Sequence, residues 1–284
     1  MLKKLFPFMR KYRLPAILCP LVMVLEVIAD VLMPRLMASI VDQGIARQDI
    51  SYIVRTGIAM IGLALAALVF GILGSRLGSL ASQGFGSEIR NSLFAKIQSF
   101  SFAHLDKFGV PSLITRITSD VNNLQQTAMM VLRMMFRAPS MLILALIMAI
   151  SINGKLALVF LAAIPLLTIF LLLIMSQAMP RFKVLQQKLD ELNSTVQENL
   201  IGIRVVKAFV RSDYEKERFR QANNNLMQRA LHAIRLVIFN QPVMMLILYA
   251  CIIAIIWFGG GMVQAGTLQT GELISFITYV DRKS

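Results

Sequence analysis

Few side chains in this sequence have chemistry to offer, and those few stand in unusual surroundings. Glu26 and Asp30 lie one helical turn apart, on one face, inside a long apolar run. Acids at such a place face a wet interior or a partner. Two roles fit them: binding a cation along a path for solutes, or hydrogen bonding within a helix bundle, with Asp30 reaching water near the outer end. Arg133 and Arg137 are also one turn apart, where a later apolar run begins, and snorkelling to inner-leaflet phosphates is the ordinary role of such residues. Met129, Met130, Met134 and Met135 belong to a rich supply of 18 methionines and 17 phenylalanines, which suits either a forgiving apolar pocket or lipid-facing filler. His104 and His232 are isolated, and neither has a second metal ligand at useful spacing. Cys19 and Cys251 fall inside apolar runs and read as small buried hydrophobes. The glycine cluster Gly259 to Gly261 is not followed by the Lys-Ser/Thr of a phosphate-binding loop, and G-x-x-x-x-G-K-[ST] occurs nowhere in the sequence. The chain is therefore expected to carry no catalytic, metal or cofactor site of its own and to hydrolyse no ATP.

The elements that position these residues are set by composition. Hydrophobic residues make up 57% and charged residues 15%, which excludes an ordinary water-soluble domain. The reading is an all-α, polytopic membrane protein. Apolar runs long enough for an α-helix to cross ~30 Å of hydrocarbon lie at about 14–40, 53–75, 130–152, 156–179 and 236–262, and a sixth starts at 270–280. The first run has no small-residue cleavage site after it and reads as a retained span. Trp257 and Phe258 suit an aromatic belt at the outer end of the fifth.

A net charge of +14 would suggest nucleic acid in a soluble protein, but here its placement fixes topology. Lys3, Lys4, Arg10, Lys11 and Arg13 precede the first span. Basic sets also fill 76–137 and 181–235, while the other connections are poor in Lys and Arg. The positive-inside rule puts the N-terminus and both long connections in the cytoplasm, with nucleic acid excluded as a partner and the cell membrane as the expected location.

Structureless loops of about 60 residues are unusual in compact proteins, so both cytoplasmic connections are expected to be helical. Arg204, Lys207 and Arg211 form one wet stripe, with Ile201, Val205, Val206, Phe209 and Val210 on the remaining arc. The fourth span is expected to run on as one rod from Leu156 to about Arg211, ~80 Å long at ~1.5 Å per residue. Ser212 with Glu215 matches a capping box and predicts a new short helix, "SDYEKERF", with the return to the fifth span beginning near Glu217. In the other connection, "EIRNSLFAKIQSF" prolongs the second span. "SFAHLDKFG" follows, with Phe102, Leu105 and Phe108 three apart, until Gly109 and Pro111 end it, and a third rod begins near Ser112. Two short transverse helices at the tips of two hairpins imply a partner there.

Four stretches then resemble a known family: "PRLMASIVDQGI", "FGVPSLITRITSDVNNLQ", "ENLIGIRVVKAFVRSDYEKERF" and "TGELISFITYV". In that order they are similar to the transmembrane domain of ATP-binding cassette (ABC) exporters of the multidrug and lipid-flippase type, with six helices per half. Val110 and Pro111 depart from the small pair usual in the family. The ending "YVDRKS" leaves only about 10 apolar residues after Gly271, and Asp281, Arg282 and Lys283 would each cost roughly 2.5 to 3.5 kcal/mol in hydrocarbon, so the sixth helix reads as incomplete. The resemblance implies that residues 1–284 form one transmembrane domain without its nucleotide-binding domain. It further implies a second transmembrane half, identical or different, and partner ATPase domains carrying ATP and Mg. Membrane lipids surround it, and an amphipathic small molecule or lipid is its substrate. The coupling residues it implies are Ala103, His104, Leu105, Asp106, Lys107 and Phe108, and Ser212, Asp213, Tyr214, Glu215 and Lys216, with Phe108 and Tyr214 as anchors; the simpler alternative is capped turns whose aromatics pack locally. The expected substrate cavity contains Glu26, Asp30, Met130, Met134 and Arg137. A secondary transporter would have short cytoplasmic loops and broken helices instead, and a fragment that inserts but moves nothing is the other rival.

Overall fold

The computed structural model describes residues 6–281; Lys3, Lys4, Arg282 and Lys283 lie outside them. Among the described residues all regular structure is helical. Helix α1 (Arg13–Ser39) continues through a π-type turn (Ile40–Ile45), and α2 (Ile50–Gln98) runs unbroken for 49 residues. A short α3 (Phe102–Phe108) follows. A helical lead-in from Val110 enters α4 (Val121–Ile152), and then come α5 (Gly154–Ile201), a short α6 (Ile203–Ala208), α7 (Ser212–Gln264) and α8 (Thr270–Asp281). Five helical stretches are long and apolar enough to cross a membrane. The chain divides into two compact units, Met1–Ala157 with Ile256–Ser284, and Leu158–Ile255.

The first unit is organised around α1. Cys19, Met23 and Val27 recur at helical spacing and are essentially inaccessible, whereas Leu14, Ile17, Leu21 and Leu25 on the outer arc are exposed. A water-soluble protein would hide both arcs; a span surrounded by lipid leaves the outer one uncovered. Small residues let α2 approach closely. Gly74 faces Met23, Gly78 lies beside Cys19, and the Tyr12 ring lies on Gly84. The Cys19 sulfur is 3.4 Å from the Gly74 carbonyl and 3.8 Å from that of Leu132, so one thiol touches α2 and α4 together.

Helix α8 is held to α1 by three polar contacts spaced one turn apart. The Gly271 N–H donates to Asp42 (2.7 Å), the Ser275 hydroxyl to the Pro34 carbonyl (2.7 Å), and the Tyr279 phenol to the Val31 carbonyl (2.9 Å). Asp42 thereby supplies a charged acceptor to an N–H that has no partner inside the helix. Glu272 accepts from the Gln269 N–H at 2.9 Å and completes that end.

In the second unit α5 ends at Ile201, short of the Arg211 expected from the periodic pattern. Gly202 interrupts the rod, being both a poor helix former and the site of a turn whose N–H bonds back to Glu198. The isolated short helix is therefore Ile203–Ala208, and Val210 takes a positive φ of 52° to redirect the chain. Ser212 opens no separate short helix. It begins a continuous 53-residue helix, because no Gly or Pro interrupts the sequence before Pro242. The capping box is not formed either: the Glu215 carboxylate accepts from Asn199 at 3.2 Å instead. In the first unit the third rod begins at Val110, with Pro111 in its first turn where a missing N–H costs nothing.

A Cβ on Gly271 would stand 2.4 Å from the Ala38 carbonyl oxygen, whereas one on Gly74 would meet only the mobile end of Met23. Gly271→Ala is expected to destabilise the protein by about 1–3 kcal/mol and Gly74→Ala by less than 1 kcal/mol, as read from thermal unfolding in detergent.

Candidate functional site: an intramembrane ion triad and two helical tips

Glu26 emerges from the buried face of α1 and is 9% exposed. Its Oε1 accepts an ion pair from the Arg137 guanidinium at 3.1 Å, and the same guanidinium lies 3.8 Å from Asp30 Oδ2. The i, i+4 spacing on α1 and the parallel course of α4 bring the three groups together. Gly71 on α2 leaves room for the Glu26 carboxylate, which approaches within 3.5 Å of where a side chain would begin. The Arg137 side chain is 44% exposed. Its partners here are the two carboxylates of α1. Glu26 Oε2 is buried and accepts no hydrogen bond. Two acids of α1 and one base of α4 thus meet at this point, with Glu26 Oε2 short of one donor. Met130 and Met134 stand exposed on α4, with Met134 one turn before Arg137.

The first tip is α3. Ser101 and the His104 ring nitrogen are 2.7 Å apart at its start. Phe108, one of the two expected anchors, is half-buried: it stacks on Phe100 with centroids 5.8 Å apart, and the Arg116 guanidinium lies 5.4 Å from its ring centroid as a cation–π partner. The aromatic presented to solvent is Phe102, 86% exposed. Ala103, His104, Asp106 and Lys107 are exposed beside it, and Leu105 is half-buried.

The second tip consists of α6 and its flanks. Leu200, Ile201, Val205, Phe209, Val210 and Tyr214 are all exposed there. Of the residues expected to form a separate transverse helix, Ser212, Asp213, Tyr214, Glu215 and Lys216 form the first turns of α7. Arg211 lies 5.9 Å over the Tyr214 ring, and Lys216 pairs with Asp213 at 3.0 Å. A cleft of about 380 Å³ beneath the tip is lined by Asn199, Ile203, Val206, Glu215 and Phe219, among others. Arg218 clamps it, donating to Glu198 at 2.7 Å. That hydrogen bond, reinforced by the guanidinium charge, holds the Glu198 carboxyl below its ordinary value, in a stretch well beyond the apolar run ending at Met179.

The profile of the ABC transporter transmembrane region matches residues 16–281. The chain belongs to that family. Among its relatives is YfiB of Bacillus subtilis, an uncharacterised ABC transporter ATP-binding protein, 37% identical over 99% of this chain and 49% of the relative. An uncharacterised ABC transporter ATP-binding protein of Mycobacterium tuberculosis is 34% identical over 95% of the chain and 46% of its own length. The ATP-dependent lipid A-core flippase of Desulfotalea psychrophila is 27% identical over 98% and 48%. The chain thus spans about half the length of the curated relatives it matches. Membership accounts for the five apolar spanning helices and makes this a multi-pass membrane protein.

The pattern of sequence alone missed two features of this ABC transmembrane domain: Arg137 as the partner of Glu26, and α6 as the isolated tip helix. The first had no local signal, since it depends on the relative rotation of α1 and α4. The second was signalled by Gly202.

Two outcomes follow. A double-mutant cycle on Glu26→Gln and Arg137→Gln is expected to give a coupling of about 1–2 kcal/mol in thermal unfolding, because removing the base alone leaves a buried acid unpaired. Strict additivity would mean that Arg137 does not hold Glu26. Since the folded-state pKa of Glu198 is depressed, the clamp's contribution is complete above the ordinary carboxylate value and is lost as pH falls through the folded one. After correction for intrinsic rates, amide exchange near 194–201 is expected to quicken below about pH 4 in the wild type, and to show no such step in Glu198→Gln.

Proposed function

We propose that this chain is the substrate-moving part of an ATP-driven exporter. It works with a second transmembrane half and with ATPase domains that supply ATP and Mg chemistry, in the cell membrane with the N-terminus in the cytoplasm. The observation that carries this reading is the composition of the second tip. Phe209 is 73% and Val210 85% exposed, next to Ile201 and Val205, at the end of helices far longer than a bilayer requires. A contiguous apolar patch in water marks an interaction site. The ATPase domain is the partner whose engagement would turn ATP binding into movement of the rods.

The coupling surface proposed is therefore α6 with Phe209, Val210 and Tyr214 at one tip, and Phe102 with Ala103, His104, Asp106 and Lys107 at the other. Phe108 supports the first tip from behind by its stacking on Phe100. The transported molecule is amphipathic, a lipid or a lipid-like small molecule, consistent with the name of the flippase relative. Glu26, Asp30 and Arg137, with the exposed Met130 and Met134, form the polar and the adaptable parts of its path.

The test uses the full chain with its ATPase domains, reconstituted in lipid nanodiscs. Val205→Asp/Phe209→Asp is expected to reduce lipid- or drug-stimulated ATP turnover at least tenfold, in line with the loss of ~1.4 kcal/mol or more from an interface centre. Phe108→Leu is expected to have a milder effect. Unchanged stimulation in the double variant would refute the coupling surface, and absence of any stimulation in the wild type, across lipids and amphipathic drugs, would favour a protein that inserts but transports nothing.

A further inference from the structure

In the second unit a cleft of about 210 Å³ opens between α5 and α7, lined by Pro180, Arg181, Val184, Arg229 and His232. No acid among the described residues compensates its charge, and none pairs with Lys183 or Arg235 beside it, so a cluster of cationic side chains gathers at this level. Towards the tip the charges are paired: Arg218 has Glu198 and Arg220 has Glu217, while Lys188 has Glu191 and Lys216 has Asp213. Among the described residues no carboxylate pairs with Arg181 or Arg229. The sequence gives them none nearby, since α5 has no acid before Asp190 and α7 none after Glu217.

Location separates this cleft from an ordinary solvated basic face. Met179, the last residue of the apolar run in α5, immediately precedes Pro180, and the apolar run of α7 resumes at Leu236, one turn beyond His232. The cleft thus stands at the level where hydrocarbon gives way to headgroups. Just on the membrane side Met175, Met179, Val237 and Ile238 are exposed, an apolar track continuous with the cationic mouth. The volume is about seven times the ~30 Å³ share of a water molecule, enough for a phosphodiester between two guanidinium groups.

We infer that Arg181, Arg229 and His232 form a binding site for the phosphate headgroup of an anionic inner-leaflet lipid, with its acyl chains lying along the exposed apolar surfaces of α5 and α7. Guanidinium groups bind phosphate oxygens through paired N–H donors, and each basic residue close to an anionic leaflet adds about fivefold to binding. The inner-leaflet assignment rests on the orientation proposed above, while the site itself rests on the position of the cleft at the membrane boundary and is independent of the coupling surfaces.

The experiment counts lipid retained by the full chain, purified from nanodiscs of equal parts phosphatidylcholine and phosphatidylglycerol, by native mass spectrometry. The wild type is expected to retain phosphatidylglycerol in preference to phosphatidylcholine. Arg181→Gln/Arg229→Gln is expected to weaken phosphatidylglycerol retention roughly 25-fold, whereas Lys188→Gln leaves it unchanged. Equal retention of phosphatidylglycerol by the wild type and the double variant overturns the proposal. So does displacement of the lipid by millimolar inorganic phosphate, which would identify a soluble-anion site. A second measurement needs no variant: photoactivatable phosphatidylglycerol is expected to label peptides containing Arg181–Val184 and Arg229–Ala233 well above photoactivatable phosphatidylcholine, and equal labelling by the two lipids also defeats the assignment.

Discussion

A polar group inside hydrocarbon has no water to turn to, and the first unit is arranged around that constraint. Helix α1 contains three prolines, two acids and a thiol within one span, and its thiol, its acids and the carbonyls around Pro34 are placed against neighbours that answer them. The carbonyls of Val31 and Pro34 receive hydroxyls from α8, where Pro34 has already loosened the regular helix ladder. Glu26 receives Arg137 from α4. Cys19 lies against carbonyls of α2 and α4. The apolar contacts around these points are interchangeable with lipid contacts, so they contribute little preference for one helix arrangement over another. The polar contacts do discriminate, because the alternative to each is an unpaired group in oil.

The second unit faces the opposite constraint along much of its length. Beyond Met179 the helices run where water is available, and the links between them are exposed ion pairs such as Arg218–Glu198, which solvent screens. Apolar residues become the anomalous ones there. Val210 has a left-handed backbone and an exposed isopropyl group, a combination with no benefit to the free chain. Its occurrence beside Phe209 and Val205 is intelligible when another surface covers the turn.

How much of this was legible in the sequence follows from the range of each signal. The spans, the long helical extensions beyond them and the all-α class are written in runs of composition that no tertiary contact can override. The short helix at Phe102–Phe108 was also evident, since Gly109 and Pro111 bound it locally. At the second tip the short helix was expected from the capping-box pattern at Ser212, whereas it lies at Ile203–Ala208, because the stronger local event is Gly202. A cap signals where a helix begins and says nothing about where it stops; the polar, Gly- and Pro-free stretch to Asn240 carries α7 onward. Phe108, expected as an anchor, is half-buried and stacks on Phe100, a contact that helical periodicity does not encode because it identifies a face without identifying what lies opposite. The pairing of Glu26 with Arg137 joins residues on α1 and α4 through rotations that no local pattern encodes.

These two kinds of linkage also differ in how they respond to load. With Arg137 half in solvent and Glu26 Oε2 without a donor, Glu26 is held by its ion pair and not by a saturated network. Shifting α4 relative to α1 by a turn would exchange that pair for an uncompensated acid, a cost of several kcal/mol that makes intermediate positions unfavourable. The exposed ion pairs of the second unit are replaced by water at little cost when they open. Long rods with weak lateral ties bend and separate readily, whereas a core with buried polar ties moves between discrete arrangements or not at all. In this chain both properties follow from where water can reach the charged residues.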